Sequence, residues 1–268
     1  MENQMEEMLA LDGVTAGYGG RAVISGAAAR VGRGEVVTLL GANGTGKSTL
    51  LRVLSGDMAP MGGAVRVMGR NLADAGRGEL ARLVSLVTTE RVLDGNLRAE
   101  EVVEMGRYPY TGFFGRLGAD DRRIAADAME AVGVEALRGR RMEGLSDGER
   151  QKVMIARALA QDTPVILLDE PTAFLDVASR VEVLALLKRL AAGSGKGVVL
   201  SSHDVASALD LSDGIWLLTG DGRMEVSTPE RLVAEQREGV PGNGLDMLFR
   251  GRAVRFDASR MDYRARPE

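Results

Sequence analysis

The sequence predicts an α/β protein with a parallel core sheet and a helical stretch inserted into it. Three observations carry this expectation. Short apolar runs ("EVVTLLG", "LVSLVT", "PVILLD", "GVVLSS") alternate with helix-period segments, the order produced by parallel strands joined by crossover helices. A glycine-rich turn links one of those strands directly to a helix in "GANGTGKSTLLRVLSG". From about Asn96 to Glu143 the pattern changes to Arg and Glu faces broken by the proline–aromatic segment "GRYPYTGFFGRLG".

Taken in order, Met8 to Met68 reads as short β runs split by glycine: "LALDGVTA", "AVISGAAARV", "EVVTLLG" and "AVRVMG". The spaced leucines of "KSTLLRVLSG" predict a helix with one buried face, and "LVSLVT" a further strand. After the helical stretch come a helix at about Gly148–Gln161, the strand "PVILLD" and a helix from Ser179. The strands "GVVLSS", "GIWLLT" and "RMEVS" follow. "VPGNG" marks a break near Gly239, and residues 250–266 hold six arginines against two aspartates. The expectation for that end is a solvated, partly ordered tail, with a docking surface as the alternative.

Composition narrows the function classes. A net charge of −4 over 268 residues gives no electrostatic reason to expect a nucleic-acid partner. Cysteine is absent, which rules out disulfides and thiolate metal sites. The start, "MENQMEEMLALDG", is acidic where a signal peptide is basic, so none is expected. The apolar runs fall far short of the roughly 20 residues of a spanning helix. Lysine is scarce, with only Lys47, Lys152, Lys188 and Lys196 among 34 basic residues, and His203 is the single histidine. A scarce residue inside a motif is the more informative for it.

"GANGTGKST", Gly41 to Thr49, satisfies the phosphate-loop pattern G-x-x-x-x-G-K-[ST] in full. Gly41, Gly44 and Gly46 allow backbone N–H groups to wrap a triphosphate, with Ala42, Asn43 and Thr45 between them. The helix that follows aims its positive end at the same anion. Lys47 supplies a point charge for the β- and γ-phosphates, and Ser48 a hydroxyl for Mg²⁺. "VILLDEP" is an apolar strand ending in two carboxylates. Asp169 is expected to hold Mg²⁺ through water, and Glu170 to orient or deprotonate the attacking water. His203 directly follows "GVVLSS", so it faces the same crevice at a strand's carboxyl end.

"LSDGERQKVMIARAL" narrows the field. Ser146 and Glu149 form a capping box, and a helix start with an exposed Ser and Gly is also an anion site. Over about residues 8–235 the chain resembles the ABC ATPase superfamily, whose signature reads Leu-Ser-Gly-Gly-Gln shortly before the acidic strand. The resemblance implies an ABC ATPase fold with a phosphate-loop parallel core sheet, an N-terminal antiparallel β subdomain and an inserted helical subdomain. It assigns Tyr18 to the aromatic that stacks on adenine, Ser146 and Gly148 to the signature, and Asp176 to a loop touching an opposing subunit. His203 becomes the switch histidine. The cassette is expected over residues 1–238, with the helical insertion at about 96–145 and a short tail at 239–268.

Three departures stand out. Asp147 and Glu149 replace the signature's third and fifth residues, and Asp147 must point away from a phosphate to keep the contact strong. Thr89, with Glu90 beside it, stands where the family has a glutamine that senses Mg²⁺ and couples closure to a permease.

The family arrangement implies ATP and Mg²⁺ as ligands and a homodimer formed on ATP. It further implies an integral membrane permease and, through it, a substrate-binding protein. The expected location is cytoplasmic, on the inner face of the membrane. "EEVVEMGRYPYTGFFGRLG" resembles the matching region of importers for ferric siderophores, haem and cobalamin. The alternative is a soluble ABC ATPase, such as one of iron–sulfur assembly.

Overall fold

The computed structural model describes residues 6–88, 96–112, 114–249 and 253–265. The chain opens with two long antiparallel strands, β1 (Glu7–Tyr18) and β2 (Arg21–Gly32), followed by β3 (Val36–Gly41) and α1 (Lys47–Leu54). β4 (Gly62–Val67) and β5 (Arg70–Asn71) return to the first pair, giving a four-stranded antiparallel sheet in the order β2-β1-β4-β5. The glycines expected to split these strands do not end them. Gly13 adopts a φ of 63° within a register shift between Leu11 and Val14, so the strand bulges there and continues.

α2 (Arg77–Leu83) leads into β6 (Val84–Val87), α3 (Ala99–Glu104) and α4 (Ala119–Val132) form the inserted helical region, and α5 (Asp147–Ala160) follows it. β7 (Val165–Leu168), α6 (Val177–Ser194), β8 (Gly197–Ser202), α7 (Val205–Leu211), β9 (Gly214–Leu218) and β10 (Met224–Ser227) complete the second sheet. Its order is β10-β9-β3-β8-β7-β6. All neighbours in it are parallel except β9 and β10. β3, β7 and β8 are buried along their whole length, because helices cover one face and α1 with the antiparallel sheet covers the other. This is why those strands read as unbroken apolar runs rather than alternations. Short helices such as α2 and α7, seven residues each, give too few turns for a periodic signal and escape the sequence reading.

The helical insertion packs Ala99, Val102, Val103, Ala125, Met129 and Val132 into the same core as α5 and α6. Gly106 is required there: a Cβ would come 2.3 Å from the Arg157 carbonyl of α5. Next to it, the buried Arg107 donates to the Ala160 carbonyl at 2.8 Å and to Asp121 at 3.2 Å. Its guanidinium lies 4.0 Å from the Tyr110 ring. The "GRYPYTG" segment thus closes over the end of α5.

The C-terminal end departs from the expected solvated tail. After α8 (Pro229–Arg237), α9 (Gly244–Leu248) and a hairpin of β11 (Val254–Asp257) and β12 (Asp262–Ala265) fold back onto the core sheet. Leu245 and Phe256 are fully buried in a cluster with Leu40, Ile215, Leu217 and Leu232. The arginine count hid these apolar anchors, which are too few and too widely spaced to form a periodic signal.

Candidate functional site

Parallel strands end in a common rim, and the sheet order puts β8 between β3 and β7. The loop after β3, the carboxylates after β7 and the residues ending β8 therefore meet. Gly46 caps α1 in a left-handed conformation with φ of 104°, and a Cβ there would stand 2.8 Å from Val23 Cγ1. The turn is held by Thr45 Oγ1, which donates to the Ala42 carbonyl at 2.9 Å. Lys47 begins α1, is buried, and its Nζ donates to the carbonyls of Gly41 at 2.9 Å and Ala42 at 3.3 Å. Asn43 and Gly44 line the clefts on the outer side of the loop.

The acidic pair is tied in from three sides. The Asp169 N–H donates to the Val87 carbonyl of β6 at 2.8 Å. Ser48 Oγ donates to Asp169 Oδ2 at 3.0 Å, and Ser201 Oγ donates to Asp169 Oδ1 at 2.6 Å. Ser201 Oγ also accepts from the Glu170 N–H at 2.9 Å. Glu170 has a φ of 45°, an uncommon conformation for a residue with a side chain. It sends one carboxylate oxygen to within 3.6 Å of Lys47 Nζ and the other to 3.3 Å from His203 Nδ1. Lys47, Ser48, Asp169, Glu170 and His203 are thus brought together as expected. Ser201 was missed by the sequence reading. Its only signal in the sequence was the serine pair that ends the apolar run of β8; in the structure Ser201 is fully buried.

Tyr18 ends β1 half exposed, with its hydroxyl accepting from Arg52 Nη1 at 3.4 Å. A hydrogen bond with Thr49, aided by the Arg52 charge, lowers its pKa from the usual phenol value. Tyr18 and Thr49 therefore stand side by side at the edge of the phosphate loop.

The signature residues lie elsewhere, since α5 packs on α6 while α1 packs on β1 and β3. Ser146 caps α5: its Oγ accepts from the Glu149 N–H at 3.2 Å, and its own N–H donates to Glu149 Oε2 at 2.9 Å. That backbone bond lowers the Glu149 pKa. Gly148 lies against α6, where a Cβ would be 3.0 Å from Ser179 Oγ. Ser179 in turn is bound by Asp176, the cap of α6, at 2.9 Å. The Asp147 carboxylate lies 3.9 Å from Arg150 on its own helix. Thr89 and Glu90 lie outside the described residues.

The donor set at the rim suits a triphosphate and its accompanying cation. Glycine-freed N–H groups and Lys47 offer positive charge, and Ser48 with Asp169 offers the oxygen ligands that a hard divalent cation takes. Among the described residues no cluster of three or more His, Cys, Asp or Glu forms a separate metal site.

Residues 24–173 match the ABC transporter family, and the chain belongs to it as an ATP-hydrolysing transport subunit. Among its relatives, the hemin import ATP-binding protein of Streptomyces coelicolor is 40% identical over 86% of this chain and 81% of its own. The iron(3+)-hydroxamate import ATP-binding protein of Bacillus subtilis is 36% identical over 81% of this chain and 82% of its own. Among solved structures, an ATP-binding cassette in a dimeric post-hydrolysis state with ADP and Pi is 29% identical. It superimposes with a TM-score of 0.70 over 83% of this chain and 99% of its own.

Proposed function

We propose that this chain hydrolyses ATP with Mg²⁺ to drive an importer of iron–siderophore, haem or cobalamin. The observation that carries the site assignment is the contact of Glu170 with both Lys47 and His203 beside the Ser48–Asp169–Ser201 chain. Residues Gly41 to Thr49 bind the triphosphate, and Tyr18 stacks on adenine. Ser48 and Asp169 would hold Mg²⁺, which neutralises phosphate charge when bound. Glu170 orients the attacking water and takes up its proton, while His203 hydrogen-bonds the γ-phosphate or that water. Lys47 offsets the charge of the departing phosphate.

Two copies are proposed to close head to tail on ATP, so that Ser146 and Gly148 of each reach the nucleotide of the other. Phe174, Val177 and Val181, beside Asp176, support this: 80%, 75% and 61% exposed, they form an apolar stripe on one side of α6 and the loop before it. The helical insertion, at about 96–145 of a cassette spanning 1–238, is the proposed permease-binding surface; 239–268 is an appended segment. The permease in turn receives cargo from a substrate-binding protein. No described helix is long and apolar enough to cross a membrane, so membrane attachment at the inner face is assigned to the permease.

The hemin and hydroxamate relatives support the cargo class and disfavour the alternative of a soluble assembly ATPase. The test is deletion of the gene with growth on hemin, ferric siderophore or cobalamin as the limiting nutrient. Loss of growth on one of the three is expected; normal uptake of all three refutes the cargo class.

A further inference from the structure

The C-terminal segment folds over the site rather than away from it. A cavity of about 430 Å³ beside the phosphate loop is lined by Asn43, Arg180 and His203 on one side and by Leu248, Phe249 and Tyr263 on the other. Across it, the Val205 N–H donates to the Tyr263 hydroxyl at 3.1 Å. Val205 opens α7 two residues after His203, and its N–H is one of the helix-start donors left without an intrahelical acceptor.

Tyr263 is fixed in its turn. Phe256 and Phe249 meet its ring edge-on at centroid distances of 5.3 and 5.8 Å. Gln236 holds the strand below by donating to the Phe256 carbonyl at 2.7 Å and accepting from the Ala258 N–H at 2.6 Å. The other side of the switch loop is held by Asp204, which accepts from Arg180 of α6 at 3.2 Å and from Ser207 Oγ at 2.7 Å. His203 itself is mostly exposed and 3.3 Å from Glu170. Its position therefore depends on the residues that flank it.

We propose that Tyr263 is a positioning residue for hydrolysis. Through the Val205 N–H it fixes the loop that carries His203, so the C-terminal hairpin sets where the imidazole stands against Glu170. This rests on the role given to His203 above.

The test is a double-mutant cycle on the full chain, with kcat and KM for ATP measured for Tyr263→Phe, His203→Ala and the pair. Tyr263→Phe keeps the ring and its packing and removes only the acceptor. It is expected to lower kcat about five-fold, the size of one net hydrogen bond, with KM unchanged because the phosphate loop and Tyr18 are untouched. In the His203→Ala background it is expected to cost nothing further. A wild-type kcat for Tyr263→Phe, or an equal loss in both backgrounds, overturns the proposal while leaving His203 its role. A wild-type rate for His203→Ala overturns the role of His203 and the proposal with it. Amide exchange supplies a second readout: faster exchange at Val205 alone is expected. Uniform acceleration through β8 and α7 would make Tyr263 merely structural and defeat the proposal.

Discussion

The rim of the core sheet and the start of α5 both carry residues proposed to bind phosphate, yet they are built in opposite ways. At the rim the functional groups are drawn from three separate elements: Ser48 on α1, Asp169 after β7, and Ser201 with His203 at the end of β8. No local stretch of chain makes that cluster, so it exists only once the parallel sheet has formed. The start of α5 is self-sufficient, because Ser146 and Glu149 satisfy each other within four residues. The first gathers its groups within one chain. The second is complete as a helix start and incomplete as a site, which fits a surface that meets its ligand only across a dimer.

The sharpest way to break this comparison is at Glu170. Glu170→Gln is expected to lower ATP hydrolysis by about 10²–10⁴-fold through loss of water activation, with ATP binding retained. Phosphate release assays and fluorescent-nucleotide binding measure the two separately. A variant that hydrolyses at the wild-type rate would remove Glu170 from the chemistry.

In that same slow background, Ser146→Arg tests the other half. The bulky cation is expected to abolish the ATP-dependent dimer in sedimentation while the loop at Gly41–Thr49 still binds nucleotide. An intact dimer would mean that the α5 start does not meet the partner's nucleotide.

Legibility in the sequence followed the same division. Phosphate loop, acidic pair and capping box were readable because each is contiguous. The buried strands were readable because an apolar run of four to six residues, bounded by turns, is too short for most helices and suits a strand covered on both faces. Ser201 was not readable as a ligand of Asp169, since that contact joins residues 32 positions apart through the strand order. The folded tail was missed for a related reason: Leu245 and Phe256 are single apolar anchors whose partners, such as Leu40 and Leu217, lie far back in the chain. Gly13 misled in the other direction, because a bulge and a strand end call for the same residue.

Ser201→Ala probes the residue that only the structure reveals. Removing the hydroxyl takes a partner from both Asp169 Oδ1 and the Glu170 N–H, a cost of about 1–3 kcal/mol if neither finds water. The expected result is a lower urea midpoint together with a kcat loss of about ten-fold, smaller than that of Glu170→Gln. Loss of stability with full activity would make Ser201 a brace for the sheet and nothing more.

The smallest effect belongs to Glu149, and its pH dependence tells local satisfaction from long-range support. The Ser146 N–H lowers the Glu149 pKa from its ordinary value of 4.5. A lowered carboxylate contributes stability at pH above 4.5 and loses that contribution as pH falls through the folded value. Glu149→Gln keeps an acceptor for the cap but removes the charge at the helix start, so at pH 7 it is expected to lose about 0.3–1 kcal/mol. The side chain is partly exposed, so solvent screening holds the effect to the low end of that range. In urea unfolding at pH 7 and pH 3, the gap between wild type and variant should therefore close at the lower pH. A gap of equal size at both would mean that the charge is not what Glu149 contributes, and that the α5 start takes its stability from packing on α6 instead.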